Sequence, residues 1–198
     1  VDYSAGSGTA TLTFNYTVLD GDMSADLDYT GTDALTLNGG AIIHATSVNP
    51  ANLALAAPGA AGSLGDAKAL VIDTAPPTVA LNGSATVTVE CHSTYEELGA
   101  SADDTYAGSL TVTQTGAVDV DTVSVYTLAY SATDPAGNTG QATRVVHVVD
   151  GTAPVITLAG EASVTVECST GSYAELGATA SDNCQADFAA SVDNASVN

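Results

Sequence analysis

Positive charge is what this sequence has least of. Lys68 and Arg144 are its only Lys or Arg residues, against 23 Asp and Glu, for a formal net charge of −21 over 198 residues. A nucleic-acid binder neutralises phosphates with a basic surface, which two cations cannot build. The same deficit excludes attraction to an anionic membrane surface. Trp is absent, Phe occurs twice and Met once, so rings for stacking on sugars are in short supply. No apolar run approaches the ~18 residues of a membrane span. Without Lys, Arg and heptads, a coiled coil is excluded as well. His44, His92 and His147 stand in unrelated contexts, and no GxSxG, HExxH or Gly-rich phosphate loop occurs. Asp/Glu pairs are so abundant that a glycosidase dyad can always be drawn from them, so none is informative. The sequence does not read as an enzyme.

What is present is apolar and acidic together. Hydrophobic residues make up 45% of the chain, whereas acidic disordered chains lack them. A folded chain of this charge repels itself. High salt screens that repulsion, and bound hard cations neutralise carboxylates directly; an extracellular setting supplies both. Internal repetition then sets the organisation. TAPPTVALNGSATVTVECHSTYEELGAS from Thr74 is matched by TAPVITLAGEASVTVECSTGSYAELGAT from Thr152, a step of 78 residues. That period suits a whole small domain rather than a solenoid turn. Residues before Asp73 match neither copy. Three blocks result: 1–73, 74–150 and 151–198.

The local pattern is strand. Leu12, Phe14, Tyr16 and Val18 alternate with polar neighbours, and Tyr126, Leu128 and Tyr130 alternate with Thr127 and Ala129. Thr86-Val87-Thr88-Val89 returns as Ser163-Val164-Thr165-Val166. Thr143–Val149 reads as a closing strand with Val146 and Val148 inward and His147 outward. Turn signals separate these runs: Asn82-Gly83, Asp134-Pro135-Ala136-Gly137-Asn138 and Asp150-Gly151. Helix is expected only as single turns, for example Glu96–Gly99. The fold class is all-β, a tandem of β-sandwiches whose first and last members are expected to be incomplete. Aligned on the second block, the third has no counterpart of Tyr126–Tyr130 or of Arg144–Val149. Its missing strand is expected either later in a longer polypeptide or from another chain by strand addition.

The ordered set TAPPTV, VTVEC, YEELGA, YTLAYSATDPAGNT and RVVHVVD resembles bacterial Ig-like repeats of the hyalin-repeat (HYR) type, and Asp182-Asn183-Cys184 matches that family's Asp-Asn-Cys turn. Block one resembles another repeat of giant secreted adhesins. The resemblance implies a tandem array outside the cell, serving adhesion or surface architecture. It also implies that Cys168 pairs with Cys184, two buried thiols being the alternative. Cys91 then stays a free thiol or bridges to another molecule, and Cys91-His92 alone is a weak zinc signal.

Calcium is the cofactor these carboxylates suggest. Asp20, Asp22, Asp26, Asp28 and Asp33 crowd one segment of block one, in pairs two residues apart, a spacing that lets oxygens converge on an ion needing 6–8 ligands. A solvated acidic turn is the plain alternative. Asp73 and Asp150 precede the two TAP motifs, and junction Asp residues often hold ions in the arrays this chain resembles. Asp103, Asp104, Asp134 and Asn138 are candidates near one pole of the second block, with Glu97 and Glu175 as further ligands. Asp, Pro, Gly and Asn are equally ordinary turn residues. The expected function is a calcium-rigidified stalk or filament at the cell surface, its partners being neighbouring modules, identical subunits, and a surface or glycan ligand. The rival is a carbohydrate- or protein-binding module of a larger secreted protein. Lys68 is expected at a strand edge.

Overall fold

The computed structural model describes residues 1–43, 46–167, 169, 171, 173–185 and 188–191. Its elements follow the chain as β1 (Tyr3–Ala5), β2 (Thr13–Phe14), a one-turn helix α1 (Leu64–Ala67), β3 (Thr78–Leu81), β4 (Thr86–Glu90), β5 (Ala100–Asp104), β6 (Gly108–Leu110), β7 (Thr113–Thr115), β8 (Ser124–Thr133), β9 (Thr139–Val149), β10 (Val155–Leu158), β11 (Ala178–Ser181) and β12 (Phe188–Ala189). The regular secondary structure among the described residues is almost wholly β. Residues cluster into two compact units. One gathers Val1–Pro77, Asp103–Leu110 and Thr133–Thr139; the other gathers Thr78–Ala102, Thr111–Ala132 and the chain from Gly140 onward.

Two sheets make the Ig-like part, ordered β4-β9-β8-β7 and β3-β5-β6. β4 runs parallel to β9, with Thr86 opposite Val145 and Glu90 opposite Val149, and β7 pairs antiparallel with β8. The alternation read from the sequence holds here. Leu128, Tyr130 and Ala132 of β8 are buried, as are Arg144, Val146 and Val148 of β9, while His147 is less so. Successive strand residues face opposite sides, so one face of each strand joins Val89 and Ala102 in the core. The DPAGN turn links β8 to β9: the Asp134 amide donates to Asn138 O at 3.0 Å, and Gly137 takes φ +98°, a conformation suited to glycine.

Block one differs from its reading. Only Thr13–Phe14 of the alternating run pairs, with Tyr3–Ala5, and Leu12, Phe14, Tyr16 and Val18 are all exposed. Alternation makes a strand only where a partner and a core exist to receive it, and β1 offers three residues. The helical turn falls at Leu64–Ala67, where Ser63 Oγ caps the Asp66 amide, and not at Glu96–Gly99. Lys68 ends that turn rather than edging a strand. In block three, β10, β11 and β12 form one antiparallel sheet. Ser163–Glu167, the sequence twin of β4, is not a strand. β4 is held by β9, and Ser163–Glu167 has no such neighbour among the described residues.

Candidate metal centre

Asp73, Asp104 and Asp134 bring their carboxylates together, with one oxygen of each within 4.8 Å of the others. Each arrives by a different local rule. Asp73 follows Ile72, which bridges Ser24, and its Oδ1 accepts the Ala75 amide at 3.0 Å. Asp104 ends β5, where Oδ1 accepts the Tyr106 and Ala107 amides at 2.8 and 2.9 Å. Asp134 opens the DPAGN turn, and its Oδ1 accepts the Asn138 amide at 2.9 Å. Asn138 Nδ2 donates to Asp134 Oδ2 at 2.9 Å and to the Asp73 carbonyl at 3.2 Å, tying two members of the group.

Asp104 is 6% exposed and Asp134 5%. Burial works against charge on Asp134, yet the Asn138 side chain and the backbone amides of Asn138, Gly137 and Ala136 hold its carboxyl below the usual range. Three like charges this close, two of them withdrawn from water, repel strongly. The ion pairs among the described residues are His92–Asp121 and Arg144–Glu97, so no side-chain cation compensates the group. A donor set of carboxylate oxygens suits a hard divalent ion, calcium above all.

The other expected ligands fall elsewhere. Asp103 is exposed, next to Asp104 on the opposite face of β5. Asp20, Asp22, Asp26, Asp28 and Asp33 enter no group of three convergent acidic ligands among the described residues. Asp22 Oδ2 instead accepts Tyr16 Oη at 2.8 Å and the Leu19 amide at 2.9 Å, closing a turn. Asp28 accepts the Gly59 amide at 3.0 Å and the Tyr29 amide at 2.8 Å. Burial opposes its charge, but these amides, the Ser63 hydroxyl and the Gly65 amide hold it down to about 2. A depressed carboxyl adds stability above its unfolded value, 3.8, and that stability fades as pH falls through the folded value. Asp28→Asn should therefore lower the urea midpoint at pH 6 and lower it much less near pH 2, where the folded carboxyl is half protonated. An equal loss at both pH values would refute the charge argument.

Asp150 lies with Glu90 and Cys184, but this second group is built differently. Glu90 already accepts the Gly151 amide at 3.0 Å, Thr152 Oγ1 at 2.7 Å and Asn183 Nδ2 at 3.1 Å. Cys184 is spent in a disulfide with Cys91, Cα–Cα 5.9 Å. This corrects the expected Cys168–Cys184 bridge and the free Cys91 thiol; Cys168 lies outside the described residues. The reason is positional: Asn183 Nδ2 bonds Glu90 and the Cys91 carbonyl, setting the Asp-Asn-Cys turn against the end of β4. Cys91 has no free thiol to pair with His92 as a zinc ligand, and His92 Nδ1 sits 2.7 Å from Asp121 Oδ1. Glu97 and Glu175 are also engaged elsewhere: each accepts a tyrosine hydroxyl and a glycine amide.

Residues 79–148 match the family model of the bacterial surface protein Ig-like domain. That Ig-like domain contains Asp104 and Asp134, with Asp73 just ahead of it. Two solved structures share part of the chain. A lipoprotein of Bacteroides thetaiotaomicron is 27% identical, covering 42% of this chain and 46% of its own, with a TM-score of 0.35. A Clostridium perfringens structure of CBM51-2 in complex with GlcNAc and INT domains is 19% identical, covering 42% of this chain and 20% of that one, with a TM-score of 0.32. The chain thus spans less than half of either. No curated protein matches it. No helix among the described residues is long and apolar enough to cross a membrane.

Proposed function

We propose that this chain is a structural part of an extracellular bacterial surface protein, in which Ig-like domains act as spacers and calcium fixes the segment entering the Ig-like domain. The carboxylate group of Asp73, Asp104 and Asp134 carries this reading. Without a cation it is three uncompensated acids, two of them buried. With one, Asp73 at the end of block one is tied to the turns after β5 and β8. The role is mechanical: an ion bridging distant chain segments resists their separation, and it lowers the self-repulsion of a chain at −21. The family match at 79–148 supports a surface setting.

Calcium should bind saturably, raise the melting temperature, and do so less after Asp104→Asn or Asp134→Asn. At calcium a hundred times the dissociation constant, linkage predicts about 2.7 kcal/mol. Differential scanning calorimetry with and without chelator measures it, and identical melting in both would refute the ion. The spacer reading predicts no saturable glycan binding. Saturation on a glycan array would favour the rival, a carbohydrate-binding module.

A further inference from the structure

The Ig-like domain holds a tie whose acceptor half is repeated, with its donor half open, in block three. Tyr95 and Tyr173 donate their hydroxyls to Oε2 of Glu97 and Glu175. The Gly99 and Gly177 amides donate to Oε1 of the same residues, at 2.7 and 2.9 Å. Two copies of Tyr-x-Glu-Leu-Gly thus build the same cradle. In the first copy the carboxylate also receives Arg144 Nη1. That guanidinium comes from β9, which lies along β4, and it further donates to Asn82 O at 2.6 Å and Ser84 O at 2.9 Å.

In block three the cradle faces a groove of about 1190 Å³. Its apolar lining is uncovered: Val166 is 43% exposed, Tyr173 50%, Val164 54% and Leu176 70%. Glu161, Glu167 and Glu175 also line it, with no Lys, Arg or His. The Tyr173 hydroxyl and the Gly177 amide hold the Glu175 carboxyl below its usual value, so it is charged at neutral pH. An acidic, valine-lined groove complements a strand that is apolar on one side and cationic at one point.

We propose that this groove is an acceptor site for an extended β9-type strand of an Ig-like domain, laid parallel along Ser163–Glu167 with an arginine on Glu175. The register follows from the first copy. Thr86 opposes Val145, so the arginine precedes the residue opposite Ser163, and alternate valines of the incoming strand cover Val164 and Val166. Backbone pairing gives affinity in such strand addition, and side-chain pockets give specificity. Here specificity rests on one buried charge pair. This goes beyond the calcium reading and does not depend on it.

A labelled peptide with the sequence of Thr139–Val149 is the probe, added to the 198-residue chain in excess calcium. Binding should saturate at one peptide per chain, and hydrogen exchange should slow at 163–167 and 173–177. A peptide with Gln in place of Arg should bind roughly a hundred-fold more weakly, the scale for losing one partner of a buried charge pair. Glu175→Gln in the chain should cause a similar loss, and the two changes together little more than either alone. Equal binding of the Arg and Gln peptides would overturn the assignment, whatever the folding of the Glu175 variant. So would absence of binding, or protection confined to 86–90, which would mean the peptide had displaced β9.

Discussion

Arg144→Gln is expected to bring the Ig-like domain close to unfolding. Arg144 is 1% exposed, the largest of the fully buried side chains. Its guanidinium serves three acceptors on two loops, Glu97 Oε1, Asn82 O and Ser84 O, and lies 6.0 Å over the Tyr130 ring. Gln cannot reach all three, so the Glu97 side chain, 17% exposed, and two carbonyls lose their partner together. Breaking one side of a buried pair costs about 3–5 kcal/mol, against roughly 5–15 kcal/mol for a whole domain. Arg144→Lys should recover little, because a point charge lacks the planar fork that spans several acceptors. Glu97→Leu combined with Arg144→Leu should fare better than Arg144→Gln, since it leaves no charge stranded. Urea denaturation followed by circular dichroism gives the ordering. A loss below about 1 kcal/mol for Arg144→Gln would mean the pair is solvated like a surface one.

Sequence alone revealed the Ig-like domain well because its information is local and repeated. Period-two alternation marked the inward residues, Val89 of β4, Leu128 and Tyr130 of β8 and Val146 and Val148 of β9, and the DPAGN residues marked the turn that carries Asp134. Asp73, Asp104, Asp134 and Asn138 were legible as candidates, since acidic residues at strand ends and turns recur at one pole of such a fold. Their company was not. Asp103 and Asp104 are equivalent in composition and separated only by the pleat, and which of them turns inward depends on the register of β5. In block one the Asp-x-Asp spacing suggested one ion; what spacing does not show is that Asp22 and Asp28 accept backbone amides of residues 19, 29 and 59 in separate turns. Glu90 was overlooked inside the VTVEC motif. The signal available was its place at the end of β4, directly before the cysteine.

Reducing the Cys91–Cys184 bridge should free block three while the Ig-like domain stays folded. The bridge spans 93 residues of sequence, and closing a loop of that length lowers unfolded-chain entropy by an amount worth about 4–5 kcal/mol in the chain-entropy account. The domain's own core lies within Val89–Val148, and Ala180 is the buried apolar residue described in block three. The loss should therefore fall on β10, β11 and β12. Cys184→Ser is the cleaner variant, because Cys91 is 2% exposed and a hydroxyl there would be buried. Glu90 keeps part of the attachment through Thr152 and Asn183, so Glu90→Gln should matter more in the reduced chain than in the oxidised one. Hydrogen exchange before and after reduction should show faster exchange at 155–158 and 178–181, with 124–149 unchanged. Non-reducing peptide mapping must first recover a crosslink between the peptides holding Cys91 and Cys184. A Cys168–Cys184 crosslink would restore the pairing within block three. Reduction would then open only a short loop, and the tie between β4 and the Asp-Asn-Cys turn would reduce to the hydrogen bonds of Glu90 and Asn183.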